Sequence, residues 1–243
     1  MNTILMFLCS FSIMLPSNPD ADKILERVDQ NLSSRNRVVE STMIIHGRRQ
    51  NRTITSRTYI VGDTKSFTEY LSPAREQGTK MLKLEDQMWI YSPDSDRTIQ
   101  ISGHMLRQSV MGSDLSYEDM MDDRKLQEVY NAEITGETSV EGRICYQLQL
   151  NAKVDDASYE SQKLWIDKER YIPLKQELYA KGGQLLKRIT LSEIERIEGR
   201  WFPMKMIYKD VLKEGDGTGF CVNSIRFNQD IPGYIFSKAA LKQ

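Results

Sequence analysis

Histidine is nearly missing from this 243-residue chain, with only His46 and His104, and cysteine occurs three times, at Cys9, Cys145 and Cys221. Neither C-x-x-C nor a paired Cys/His spacing occurs, which removes the usual routes to a zinc site. Charge of one sign is not in excess either. Lys and Arg number 33 against 34 Asp and Glu, whereas a nucleic-acid binder normally shows a basic stripe. The same balance argues against electrostatic adhesion to anionic lipid heads. Phosphate-cradling glycine loops and the G-x-S-x-G elbow are absent. The acidic groups Glu85-Asp86, Asp94-Ser95-Asp96 and Asp122-Asp123 lack the D-x-D-x-D-G order and read as solvated turns rather than calcium loops. His104 has Ser102, Ser109 and Asp114 near it in sequence, but sequence proximity is not triad geometry, and a hinge or capping role fits it better. No cofactor, metal or catalytic constellation follows from these residues.

What is present begins with Ile4–Leu15, an apolar run ended by Pro16. It is shorter than the roughly 20 residues that span a bilayer and fits the core of a secretory signal peptide over residues 1–21. The alternative is a buried N-terminal strand or an anchor. Cys9 follows Leu8, where a lipid-modification signal would want a small residue. Residues 22–243 then form one domain. Cys145 and Cys221 fall in expected strands; they could pair in an oxidising compartment or simply be small buried apolar residues.

Asp22–Ser33 places Ile24, Leu25, Val28 and Leu32 on one helical face, with Asp20 or Asp22 as N-cap. After Asn36 the period becomes 2. Alternating or apolar runs follow at Val39–His46, Thr53–Val61, Ser66–Leu71, Met81–Leu84, Met88–Tyr91 and Thr98–Ser102, separated by turn residues such as Gly62-Asp63. The pattern resumes with Glu133–Thr138, Ile144–Leu150, Gln162–Asp167, Leu174–Tyr179, a long run from Leu185, Trp201–Val211 and Phe220–Phe227. Along the Leu185 run the apolar parity switches near Ser192–Glu195, as at a bulge or a bend. Ile231–Leu241 reads as a tail or short helix that packs down. We expect about eleven short strands, a sandwich or an up-and-down barrel.

Between the two sets of strands lies a different kind of segment. His104–Met111 is bordered by Gly103 and Gly112, with Leu106/Val110 and Met111/Leu115 each four apart, the spacing of a helical face. Ser116-Tyr117-Glu118-Asp119 supplies the capping-box pattern of a helix start, followed by Met120 and Met121. The segment reads as a short, apolar, methionine-rich flap, helical or looped, and methionine suits surfaces that accept varied apolar partners.

The pieces GTK-x-LKL (Gly78–Leu84), MWIY-x-P (Met88–Pro93), RT-x-x-ISGHM-x-RQS (Arg97–Ser109) and MGSD-x-SYEDM (Met111–Met120) resemble the outer-membrane lipoprotein-sorting protein family. That family is similar to the periplasmic lipoprotein carriers of Gram-negative bacteria. Pro73-Ala74-Arg75, Glu141-Gly142-Arg143 with Cys145-Tyr146, and Trp201-Phe202-Pro203 agree with it, so the resemblance extends over the chain after about residue 22. It implies a mainly β fold with a few helices: an open, strongly curved antiparallel sheet, or incomplete barrel, closed by a helical lid over a hollow that takes acyl chains.

The expected function is a non-enzymatic, monomeric periplasmic carrier that binds the acyl chains of a lipoprotein or lipid for sorting to the outer membrane. An inner-membrane donor complex and an outer-membrane acceptor are its expected partners, and nucleic acid is not. The alternative is an envelope lipid or stress sensor, or a scaffold, using the same half-barrel. Expected cavity and lid residues are Met88, Ile90, Met105, Leu106, Val110, Met111, Leu115, Met120 and Met206, with Arg107 as a latch toward Asp114, Glu118 or Asp119.

Overall fold

The computed structural model describes residues 20–47 and 50–243; the expected signal peptide and Cys9 lie outside the described residues. Strands β1 (Asn36–Ile45), β2 (Arg52–Val61), β3 (Lys65–Ser72), β4 (Lys80–Leu84), β5 (Gln87–Ser92) and β6 (Arg97–Ile101) form one meander. A second comprises β7 (Tyr130–Val140), β8 (Arg143–Ala152), β9 (Ser161–Asp167), β10 (Pro173–Tyr179), β11 (Leu185–Ile197), β12 (Arg200–Asp210) and β13 (Thr218–Phe227). The meanders join where β13 pairs antiparallel with β1, giving one sheet in the order 6-5-4-3-2-1-13-12-11-10-9-8-7. The sheet is open, antiparallel and curved. It has thirteen strands rather than about eleven, because each of the thirteen runs in the sequence forms its own strand.

Helix α1 (Ala21–Leu32) starts at the Asp20 cap, whose carboxylate accepts from the backbone N–H of Asp22 at 3.0 Å. Its buried face, Ile24, Leu25 and Val28, packs on Leu148, Leu150, Leu164 and Ile166 of β8 and β9. Asn31 then ties the helix end down, donating to the carbonyl of Arg170 at 2.9 Å and accepting from the Trp201 N–H at 3.1 Å. The outer face of β3–β5 is covered by the C-terminal turn, where Leu241 and Ala240 seal Phe67, Leu82 and Trp89. The expected parity switch in β11 is a bend without an inserted residue. Glu193 has φ 52°, while Ser192↔Lys205 and Ile194↔Pro203 keep one register on either side. Cys145 and Cys221 are both free, and burial raises the Cys145 thiol pKa.

The β9–β10 turn is held by Asp167. Its carboxylate accepts from the Arg143 guanidinium and from the N–H groups of Glu169 (2.9 Å) and Arg170 (3.2 Å). Burial pushes this carboxyl up, but those donors outweigh it and hold it below its ordinary value. Asp167→Asn is expected to cost about 2 kcal/mol near neutral pH, the scale of hydrogen bonds to a charged group. A depressed carboxylate stabilises the fold above its unfolded value of 3.8 and loses that contribution as pH falls through the folded one. Urea titrations of the two proteins therefore converge in acid; a gap that stays constant to the lowest pH contradicts this assignment.

Candidate functional site

The chain between β6 and β7 has to cross from one edge of the sheet to the other. It does so over the concave face, as a strap that closes the mouth. Of the helical and looped forms that the four-residue spacings left open, its first part takes the looped one, as two tight turns, Gly103–Arg107 and Val110–Gly112. Positive φ at Gly103 (56°), Met111 (52°) and Gly112 (75°) interrupts any helix there. At Met111 the left-handed conformation costs a non-glycine residue about 1 kcal/mol. Arg52 holds the strained turn by donating to the Met111 carbonyl, and a Cβ on Gly112 would stand 3.1 Å from the same guanidinium. The strap then forms α2 (Tyr117–Met121), with the expected capping box. The Ser116 hydroxyl accepts from the Asp119 N–H, and the Asp119 carboxylate accepts from the Ser116 N–H. A further short helix, α3 (Leu126–Val129), was not anticipated; the Asp29 carboxylate caps it, accepting from Leu126 N–H at 3.0 Å and Gln127 N–H at 3.2 Å.

The floor beneath the strap is apolar at its two sides. On β4–β6, Met81, Met88 and Ile101 are buried against Ile90, Met105, Leu106, Tyr117, Met120 and Met121. On β1 and β2, Met43, Ile45 and Ile54 meet Met111, Tyr70 and Phe220. Met206 lies one strand further on, opposite Phe220 and Leu191, within the cluster around Val222 and Phe227. Met88 and Ile90 are thus packed solid beneath Met105 and Leu106. The residual cavity is elsewhere and small, about 30 Å³, bounded by Val110, Leu115 and Met120 above and by Met43, Ile54, Phe220, Ser56, Thr58, Thr68 and Tyr70 below. Of the nine expected lining residues, Val110, Leu115 and Met120 reach it. A wider cleft of about 430 Å³ opens beside the strap, between Leu106, Glu118 and Met121 on one wall and Lys83, Glu85 and Asp156 among the others.

The strap is tied by buried polar groups. Lys187 of β11, 8% exposed, pairs with Asp119, which also accepts from the Tyr159 hydroxyl. Lys83 of β4, 2% exposed, donates to the carbonyls of Met121 and Asp63 and pairs with Asp123 at 3.2 Å. Asp114 accepts from the Thr218 hydroxyl at 2.8 Å and from the Asp210 N–H at 2.9 Å. Arg107, the expected latch, is exposed and forms no ion pair among the described residues, although its charge draws down the Glu118 carboxyl that burial raises. One sequence signal pointed to the real ties. Lys187 shares strand parity with the inward Ile189 and Leu191, and Lys83 shares it with Met81, so each lysine occupies a slot that the pleat turns inward.

A family model described as that of an uncharacterized protein matches residues 62–243. No curated protein matches the chain. Among solved structures, it is similar to an outer membrane lipoprotein-sorting protein domain from Vibrio parahaemolyticus, with TM-score 0.79 and 24% identity, covering 92% of this chain and 98% of that one. A DUF1329 family protein from Desulfovibrio piger matches with TM-score 0.81 and 27% identity over 90% of this chain and 97% of that one. A LolA superfamily protein from Nitrosomonas europaea matches with TM-score 0.77 and 22% identity over 92% of this chain and all of that one (100%).

Proposed function

We propose a function from one premise: the chain belongs to the uncharacterized-protein family of that model and has the fold of lipoprotein-sorting and LolA-superfamily proteins. It is a carrier that shelters the acyl chains of a lipoprotein or lipid between strap and floor, working in the periplasm after export by residues 1–21. It passes its cargo from an inner-membrane donor toward an outer-membrane acceptor, acts as a monomer and performs no catalysis. The observation that carries this reading is an apolar floor covered by a strap with little core of its own, tied down by a few polar contacts. Burial of an acyl chain contributes about 0.8 kcal/mol per methylene, so raising the strap over a long chain is affordable without covalent chemistry.

An environment-sensitive fatty-acid probe is expected to bind lipid-stripped protein saturably, to be displaced by lipopeptide, and to be recovered intact. Absence of saturable binding removes the carrier reading, and hydrolysis of the probe replaces it with an enzyme.

Met111 tests the strap itself. It is half-buried at a turn that can reach water, so Met111→Asp is expected to weaken probe retention several-fold while changing stability by about 1 kcal/mol or less. If this variant unfolds instead, the strap is core rather than cover.

A further inference from the structure

Where α1 hands over to β1, the linker residues Ser34 and Arg35 border a cleft of about 490 Å³. Its other walls come from the β2–β3 turn, at Gly62 and Asp63, and from the end of the strap at Asp123. The Gly62 N–H donates to the Arg35 carbonyl at 2.9 Å, which sets turn and linker side by side. This cleft is continuous with the concave floor. Arg37, on its wall, begins a row that passes through Ile60, Ser66 and Lys83 to Met88 under the strap.

Most charges around the cleft are already paired. Arg37 and Lys83 share the Asp123 carboxylate, each at 3.2 Å, and Lys125 pairs with Glu128 at 3.3 Å. Two charges are not. The exposed Arg35 guanidinium and the half-buried Asp63 carboxylate form no ion pair among the described residues, with each other or with a third group. Lys83 reaches Asp63 only at its backbone carbonyl, at 2.6 Å. Beside Arg35, the buried Ser34 Oγ has no hydrogen-bond partner among the described residues, and nor has Asn36 Oδ1, which borders a second cleft on the other side of Arg35. A buried polar atom left so is costly until a partner meets it. A simple ion does not answer this arrangement. An anion suits Arg35 and Ser34 but faces Asp63, and a cation has the opposite fault. A group carrying both signs a few atoms apart satisfies both walls.

Resting on the carrier reading for the chains, we propose that this cleft at the strap's end is a head-group site for a zwitterionic phospholipid that bears a phosphate and a primary ammonium. The phosphate accepts from the Arg35 guanidinium, whose planar fork matches it, and from the Ser34 hydroxyl. The ammonium donates to the Asp63 carboxylate, and the wall beyond stays acidic, since Asp63 also borders the wider cleft that holds Glu85 and Glu118. The head thus sits outside the strap, where the row from Arg37 to Met88 leaves the floor.

The test titrates three phospholipids with identical chains into lipid-stripped full-length protein: phosphatidylethanolamine, phosphatidylglycerol, which lacks the cation, and phosphatidylcholine, whose cation has no N–H to donate. Phosphatidylethanolamine is expected to bind roughly tenfold more tightly than either, the scale of one hydrogen bond to a charged group. In Asp63→Asn its advantage over phosphatidylglycerol is expected to vanish or reverse, and in Arg35→Gln all three lipids should weaken. Glycerophosphoethanolamine, the same head without chains, should bind roughly a hundredfold more weakly or less, because it buries no methylenes. Equal affinities for the three lipids in the wild-type protein overturn this inference and leave the carrier reading standing, as does a preference that survives in Asp63→Asn. Chainless head group binding as tightly as the lipid overturns the assignment to a phospholipid. Binding of no lipid at all overturns both readings. The wild-type ranking is decisive alone, so the proposal stays falsifiable even if a variant does not fold.

Discussion

Lys187→Met is expected to lower stability by about 3 kcal/mol, at the lower end of what breaking a buried ion pair costs. The methionine keeps most of the packing of the lysine stem, so the loss isolates the ammonium. Without it, the Asp119 carboxylate stays buried against Ser116 and Tyr159 alone, neutral donors that cannot balance its charge. The melting temperature should fall by roughly 6–12 °C for a chain of this size. The damage is expected to concentrate in the strap, so that trypsin cuts at the exposed Arg107 much faster than in the wild-type protein. Adding Asp119→Leu should restore part of the stability, since the orphaned charge is then gone. Recovery stays incomplete, because Asp119 also caps α2, worth about 1 kcal/mol. A Lys187→Met protein within 0.5 kcal/mol of wild type would show that the pair is not a tie.

The second large effect is expected at Phe227, the last residue of β13. Its ring is 1% exposed, meets Phe202 edge-on with centroids 5.9 Å apart, and lies under the Arg200 guanidinium at 4.4 Å. Arg200 in turn donates to the Ser33 carbonyl at the end of α1. Phe227→Ala removes the largest buried side chain of the cluster and the platform on which Arg200 rests. A cost of about 4 kcal/mol is expected, as for other buried phenylalanines. Phe227→Leu should cost about 1 kcal/mol. Chemical denaturation measures both, and an alanine variant losing under 1 kcal/mol would mean that the cluster collapses around the gap.

Most of the sheet could be read from the sequence because alternation is a local signal. Val39, Met43 and Ile45, or Met88 and Ile90, declare their face by parity alone, and turns such as Gly62-Asp63 need only their own residues. The cap of α2 was legible for the same reason, since Ser116 and Asp119 are three apart. The four-residue spacings at Leu106/Val110 and Met111/Leu115 could not choose between helix and loop, because a periodic pattern does not reveal a left-handed residue in its middle. The ties of the strap were hidden by distance: Lys187 is on β11, Thr218 on β13, and Asp119 and Asp114 are on the strap. A lysine within a strand of mixed polarity also looks like a solvated one. Thr58 and Thr68 were invisible as lining of the small cavity because threonine is an ordinary strand residue, and only the register sets them opposite each other.

The join between β1 and β13 also dictates an order of assembly. Each meander consists of neighbouring hairpins and can form from local contacts, but the pairing that unites them links residues about 180 apart in sequence. A chain made from its N-terminus completes β1 early, with Val38, Val39, Met43 and Ile45 along it, and then waits for nearly the entire remaining length before the matching strand exists. During that interval β1 is an open edge, the kind of surface that pairs with another chain if left unattended. The seam at the centre of the finished sheet is thus the last to close, and slow or interrupted synthesis should expose it to self-association more than any other part of the molecule.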